Sequence, residues 1–349
     1  MATHLREKLT TVSLRTKKLG LMLASFILAL LVAEAGLRIE CYLRLEELHE
    51  TEFSASERES LAIRSDVPGL AFVFRPNMTW KRAPHPSTTN SQGYFDDDHA
   101  LKKPDGVFRI VVIGDSVAEG LAVGWRRSFV RGLQRRLNAA PAKTTYEVVS
   151  LARCGYATSQ QLVILRNEAL QYNPDLILWS YVLNDPENPF YHGDFIGTIV
   201  IRRPSLHLLH RADRAWFFTK ENIAARSGPE EYHRKLHHVY WGRIEDHVKQ
   251  IGHISKTGSV PIVFMVHPWF QAEPSIEEYR SSALHQKLTD LASQNGLLAL
   301  DLLSAYRGHI PSQVCLPNDP CHLNVEGHNL TAEFLFDELV ARRLVAPVE

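Results

Sequence analysis

Apolar positions along this chain fall into two regimes. Leu19 to Leu37 is apolar with a charge only at Glu34, whereas from Val107 onward short β-branched and apolar runs alternate with longer amphipathic segments. The first regime predicts a membrane-crossing helix: 19 residues at ~1.5 Å each reach about 28 Å, close to the hydrocarbon thickness of a bilayer. The second predicts strands at Val107–Ile113, Tyr146–Leu151, Asp175–Leu183, Val260–Val266 and Leu297–Leu303. Helices are expected near Arg126–Asn138, from Thr158 or Ser159 to about Tyr172, and over Glu231–Lys256, Tyr279–Asn295 and Val325–Leu344. Strand and helix in alternation, joined by right-handed crossovers, give a three-layer α/β/α sandwich around a five-stranded parallel sheet.

Three stretches fit neither regime. Ile39 to Ser65 carries Leu, Glu and Arg at helical spacing, which suits a helix leaving a bilayer surface; Pro68 to Pro104 is dense in proline and turn residues and reads as short strands and turns packed on the main domain, with a plain spacer as the alternative. Pro186 to Pro229 interrupts the alternation directly after a strand and holds Phe190, Tyr191, Phe195, Trp216, Phe217 and Phe218. A long aromatic insertion at that edge suits a lid or binding loop, and equally a small helical subdomain. The expected organisation is a basic tail at 1–18, a transmembrane signal-anchor at 19–38, a juxtamembrane helix and irregular extension at 39–105, and an α/β domain at 106–349 with an insertion at 186–230.

Charge sharpens this picture at the amino end. Lys plus Arg equals Asp plus Glu at 39 each, so no overall field draws the chain to nucleic acid. Arg6, Lys8, Arg15, Lys17 and Lys18 all precede the apolar segment, and the positive-inside rule keeps them cytoplasmic and exports the rest of the chain. Glu34 lies close enough to the far interface to reach water or pair with Arg38. Ala33-Glu34-Ala35 has the form of a signal-peptidase site, so a cleaved secretory signal stays open beside an anchor, as does a buried soluble helix. Export leaves open a disulfide between Cys315 and Cys321; Cys41 and Cys154 lack metal-ligand spacing. His207, His210, His233, His237 and His238 have no carboxylate or cysteine partner suited to a metal, and no metal or organic cofactor is expected.

The chemistry-bearing residues sit at strand ends. The strand at 107–113 runs into Gly114-Asp115-Ser116, which places a hydroxyl at the carboxyl edge of the sheet, where ligands bind in open α/β folds. A serine hydroxyl is a weak nucleophile until an imidazole takes its proton and a carboxylate holds that imidazole in the useful tautomer. Asp319-Pro320-Cys321-His322 supplies both partners, and Leu323-Asn324 and Gly327-His328 follow before a helix. Asp115 reads as a turn residue bonding local N–H groups, His328 as a packing or capping residue, and His267 with Trp269 as either pocket lining or a satisfied edge pair.

With Arg153-Cys154-Gly155-Tyr156 and Asn184-Asp185 between them, these blocks resemble the SGNH/GDSL hydrolase superfamily, and more narrowly its membrane-anchored bacterial esterases, over roughly residues 108–344. The resemblance implies the flavodoxin-like fold of that superfamily and a serine esterase with Ser116, Asp319 and His322 as catalytic triad. It further implies an oxyanion hole built from the N–H groups of Ser116 and Gly155 and the Asn184 amide. One departure is Val182, where the family often has glycine. The implied substrate is a small acyl ester of a carbohydrate or envelope polymer; an O-acyltransferase on a polysaccharide with the same residues, or an inactive envelope-binding protein, are the rivals. Protein partners and oligomeric state are not specified by these motifs.

Overall fold

The computed structural model describes residues 2–48, 61–70, 72–80, 85–139, 144–186, 229–270, 273, 275–317, 319 and 321–345. It divides into two compact units, with the N-terminal helix in one and the sheet with its helices in the other. The N-terminal unit contains α1 (Ala2–Leu48). Within it Thr16–Ile39 has a mean hydropathy of 2.1 and none of its apolar window is buried. By length and composition this segment is suited to cross a membrane, as is a signal sequence. Glu34 Oε1 accepts from Arg38 Nε at 2.9 Å, so the one acidic group in the stretch carries its own counter-ion.

In the second unit the chain begins with two small hairpins. β1 (Ala62–Arg64) pairs antiparallel with β2 (Phe72–Phe74), and β3 (Thr79–Trp80) with β4 (Ser87–Thr88). The helix expected up to Ser65 therefore does not extend that far. Arg64 pairs with Phe72, and Leu61, Ala62, Phe72 and Phe74 are buried in the same apolar cluster as the sheet, which outweighs the helical spacing of the preceding residues.

The remaining elements alternate as their apolar periodicity predicts. In order they are β5 (Val107–Ile113), the single-turn α2 (Ser116–Glu119), α3 (Phe129–Leu137), β6 (Thr145–Ser150), α4 (Thr158–Asn167) and β7 (Leu176–Tyr181). Then come α5 (Pro229–Gly258), β8 (Ile262–Val266), α6 (Ser282–Gln294), β9 (Leu298–Asp301), the short α7 (Pro311–Val314) and α8 (Val325–Ala341). The expected lid or subdomain lies outside the described residues between 187 and 228.

The five main strands are parallel in the order β6-β5-β7-β8-β9. Alternate residues of β5 serve opposite faces. Val111 and Ile113 pack with α4, α5 and α6 residues such as Leu162, Val248 and Leu288. Ile110 and Val112 pack with Phe129 and Leu133 of α3 and Leu335 of α8. These are the two outer layers. Because β6 and β7 flank β5 on opposite sides, the connections leaving β5 and β7 diverge and open a crevice at the carboxyl end of β5.

Candidate active site

Ser116 stands at that crevice. Asp115, 2% exposed, caps α2 by accepting the Val117 N–H on its Oδ1 at 3.0 Å, and Gly120 at φ +67° ends the turn. The glycine before them is a packing requirement. A Cβ on Gly114 would lie 2.8 Å from both the Ala118 and Ser180 Cβ atoms, so a side chain there would push the turn off β7. Asp115 thus has the local turn role read from sequence. Burial raises its pKa to about 6, against the opposing Val117 hydrogen bond and the nearby His322 charge.

Some 200 residues later a hairpin carries the other two groups. Leu316 N–H donates to the His322 carbonyl and Asn324 N–H to the Val314 carbonyl, both at 2.9 Å, and Cys315 bridges Leu323. Asn324 fastens this hairpin to the following helix: its Nδ2 donates to the Gln313 and Cys315 carbonyls, and its Oδ1 caps α8 through the Gly327 N–H at 2.9 Å. The result places His322 Nε2 2.8 Å from Ser116 Oγ and His322 Nδ1 2.7 Å from Asp319 Oδ2. Asp319 Oδ1 accepts the backbone N–H groups of His322 at 3.0 Å and Cys321 at 3.1 Å.

Electrostatics follow from this geometry. Burial alone would lower the His322 pKa, but the hydrogen bond and charge of Asp319, with the charge of Asp115, leave it raised above the usual 6.5. Burial likewise opposes ionisation of Asp319, yet its bonds from the His322 ring and from two backbone N–H groups hold it below the usual value. A hydroxyl, an imidazole and an ionised carboxylate are thus hydrogen-bonded in series, an arrangement able to pass the hydroxyl proton to the ring while the carboxylate offsets the ring's charge.

Gly155 and Asn184 follow β6 and β7, the strands on either side of β5. Gly155 has φ +81°, a conformation that favours glycine, and its N–H has no acceptor among the described residues. Asn184 belongs to a turn closed by Asp185, whose N–H donates to the Val182 carbonyl at 2.9 Å and whose Oδ2 accepts from Val182 N and Gln161 Nε2. Val182 is fully buried beside Val117 and Phe270, so the turn forms without the glycine that the resemblance suggested. The Asn184 Oδ1 is buried with no partner among the described residues.

Other candidates resolve into structural roles. His328 is 2% exposed, and its Nδ1 accepts the Phe129 N–H at 3.2 Å. His267 is 1% exposed and bonds Ser180 Oγ through Nε2 at 2.8 Å. Burial, reinforced by neighbouring imidazoles, pushes each down to about 3, which keeps both rings neutral. His237 bonds Tyr181 and His233, and His233 bonds the Leu183 carbonyl, while His207 and His210 lie outside the described residues. Among the described residues no group of His, Cys, Asp and Glu is placed to hold a metal ion. Cys315 and Cys321 are both buried, and the disulfide left open by their spacing does not join them in the structure. Two buried acids, Glu119 and Asp185, received no role from the sequence; an acidic residue closing so short and apolar a helix was the available signal for Glu119.

Comparison with known families matches residues 112–330 to the GDSL-like Lipase/Acylhydrolase family. Comparison with curated proteins finds no match. Among solved structures, a catalytic mutant of Axe2, an acetylxylan esterase from Geobacillus stearothermophilus, is 15% identical, with 66% of this chain and 94% of that one covered and a TM-score of 0.44. The esterase EstA from Pseudoalteromonas sp. is 14% identical over 67% of this chain and 98% of that one, with a TM-score of 0.40. A lipase/acylhydrolase from Enterococcus faecalis is 15% identical over 67% and 96%, also with a TM-score of 0.40.

Proposed function

The chain belongs to the GDSL-like lipase/acylhydrolase family and is an ester-hydrolysing enzyme, and from that premise we propose that it acts through an acyl-Ser116 intermediate. The reading rests on one observation above all, the continuous relay from Ser116 Oγ through His322 to Asp319 at 2.8 and 2.7 Å. Ser116 Oγ attacks the ester carbonyl as its proton passes to His322 Nε2. The carbonyl–alkoxy bond then breaks, and His322 returns the proton to the leaving alcohol. Water attacks the acyl-enzyme with His322 again taking the proton, and Ser116 leaves with that proton as the free acid departs. Asp319 holds Nδ1–H and offsets the imidazolium charge. The developing oxyanion is received by the N–H groups of Ser116 and Gly155 and the Asn184 amide, a reading supported by the Gly155 N–H, which has no acceptor among the described residues, and by the position of these residues at adjoining strand ends.

The substrate in this proposal is a small acyl group, such as acetyl, on a carbohydrate or envelope polymer. Family chemistry supports an acyl ester, and the apolar helix, with its five cations on one side, supports a membrane-held enzyme facing the extracytoplasmic space. Residues 1–18 are then a cytoplasmic tail, 19–38 the anchor, 39–105 the extension and 106–349 the hydrolase domain.

Labelling wild type and Ser116→Ala with a fluorophosphonate probe, followed by turnover of p-nitrophenyl esters of increasing chain length and of acetylated oligosaccharide, tests this reading. Labelling of the wild type alone, with fastest turnover of the shortest esters, is expected. Equal labelling of a folded Ser116→Ala protein refutes the nucleophile. Acyl groups appearing on added sugar rather than as free acid would make the enzyme a transferase.

A further inference from the structure

The oxyanion segment after β6 accounts for its backbone N–H groups one by one. Arg153 N–H donates to the Gly114 carbonyl at 3.1 Å, and Tyr156 N–H closes a turn onto the Arg153 carbonyl at 3.1 Å. Cys154 N–H donates to Glu119 Oε1 at 3.1 Å. The Gly155 N–H is left without an acceptor among the described residues. Of the three engaged groups, only that of Cys154 is held by a side chain.

Glu119 is the last residue of α2, the turn that Ser116 begins, and it is 2% exposed. Its carboxyl therefore joins the nucleophile's own helix to the Arg153–Cys154 peptide, the neighbour of the peptide that carries the Gly155 N–H. Glycine at φ +81° leaves its flanking peptides easy to rotate, so the direction of the Gly155 N–H depends on how firmly its neighbours are held. The second carboxyl oxygen, Oε2, is buried and has no partner among the described residues. Keeping a half-bonded acid in the interior costs stability, which apolar packing would avoid.

We infer that Glu119 is a positioning residue for ester hydrolysis, fixing the Cys154 peptide so that the adjacent Gly155 N–H points at the developing oxyanion beside Ser116. The inference rests on Ser116 as nucleophile and Gly155 as oxyanion donor. Burial, against the Cys154 hydrogen bond and the Arg153 charge, raises the Glu119 pKa to about 8. At neutral pH the group is then mostly an uncharged acceptor, which glutamine reproduces in shape and in its carbonyl oxygen.

The test compares Glu119→Gln, which keeps an acceptor, with Glu119→Met, which keeps the volume and removes it. Readouts are kcat and KM for p-nitrophenyl acetate, the maximal rate of fluorophosphonate labelling, and thermal melting. Removing one oxyanion donor outright lowers kcat by about 10²–10³. Misaimed rather than absent, the donor in Glu119→Met is expected to lower kcat and the labelling rate by roughly ten- to hundredfold, with KM within about twofold of wild type. Glu119→Gln should stay within about threefold of wild type in every readout. Wild-type kcat in a folded Glu119→Met protein overturns the inference, as does equal loss in both variants or a loss confined to KM. If Glu119→Met gives no cooperative melt, Glu119→Asp, whose acceptor is withdrawn by one methylene, is judged by the same criteria. Ser116→Ala is assayed alongside: activity or labelling in that protein refutes the nucleophile and is read independently of the Gln–Met contrast.

Discussion

Replacing Asp319 with asparagine is expected to damage the enzyme more than replacing it with alanine, and the reason lies in the second carboxylate oxygen. Asp319 Oδ1 accepts two backbone N–H groups, those of His322 and Cys321, at 3.0 and 3.1 Å. An asparagine keeping these bonds must turn its carbonyl toward them, which sets its NH2 where Oδ2 now meets His322 Nδ1 at 2.7 Å. That NH2 donates, so Nδ1 must accept, and the ring proton moves to Nε2, which faces Ser116 and, already protonated, cannot accept the serine's proton. Flipping the amide would point its NH2 at two donors; with ~1–3 kcal/mol for each hydrogen bond left unmade, the inactive orientation is favoured by roughly 2–6 kcal/mol. That corresponds to about 30-fold to 10⁴-fold depletion of the active tautomer.

Alanine removes the carboxylate but imposes no tautomer. The side chains of His322 and Asp319 are 27% and 35% exposed, so the lost attraction on the imidazolium is screened, at about 1–2 kcal/mol, or roughly 5- to 30-fold. Lost orientation adds to this, for a total fall of about 10²–10³ in kcat/KM. Asp319→Asn should lie about tenfold lower again at the middle of these ranges. The assay is kcat/KM for p-nitrophenyl acetate across neutral pH, with thermal melts to establish folding. An asparagine variant as active as the alanine variant, or more so, would refute the derivation.

The acid limb of the rate profile gives a second check. His322 must be neutral to accept the serine proton, and its pKa is raised above 6.5 because Asp319 and Asp115 outweigh the effect of burial. Wild-type kcat/KM should therefore fall as pH drops through a value above 6.5, and the inflection should move down in Asp319→Ala; a wild-type inflection below 6 contradicts the relay. The N-terminal helix is tested by fractionation: full-length protein should stay with membranes through an alkaline carbonate wash, and a chain lacking residues 1–38 should be soluble and equally active. Recovery of full-length protein in the soluble fraction refutes the anchor, while a mature chain beginning after Ala35 identifies a cleaved signal.

Much of the frame is legible in local sequence because its determinants are local. A β-branched run followed by Gly-Asp-Ser is a strand meeting a tight turn, and the spacing of Asp319 and His322 places carboxylate and imidazole on one short hairpin. Local signals fail where pairing decides. The spacing before Ser65 favours a helix, yet Ala62–Arg64 becomes a strand because Phe72–Phe74 folds back beside it. His267 could not be assigned from the chain alone, since only Ser180, distant in sequence, shows its ring to be engaged in the interior, whereas His328 has the packing and capping role its place at a helix start suggested, accepting the Phe129 N–H.

The sequence by itself determined the succession of strands and helices, the apolar amino-terminal segment and the chemical types available at the strand ends, since periodicity and turn chemistry act between near neighbours. The tertiary structure alone decided that β6 and β7 flank β5, which opens the crevice at Ser116 and brings His322 within 2.8 Å of it. It also decided that Glu119 faces the Cys154 N–H. Contacts between residues 35 to 206 positions apart depend on strand order and layer packing, which no local spacing encodes.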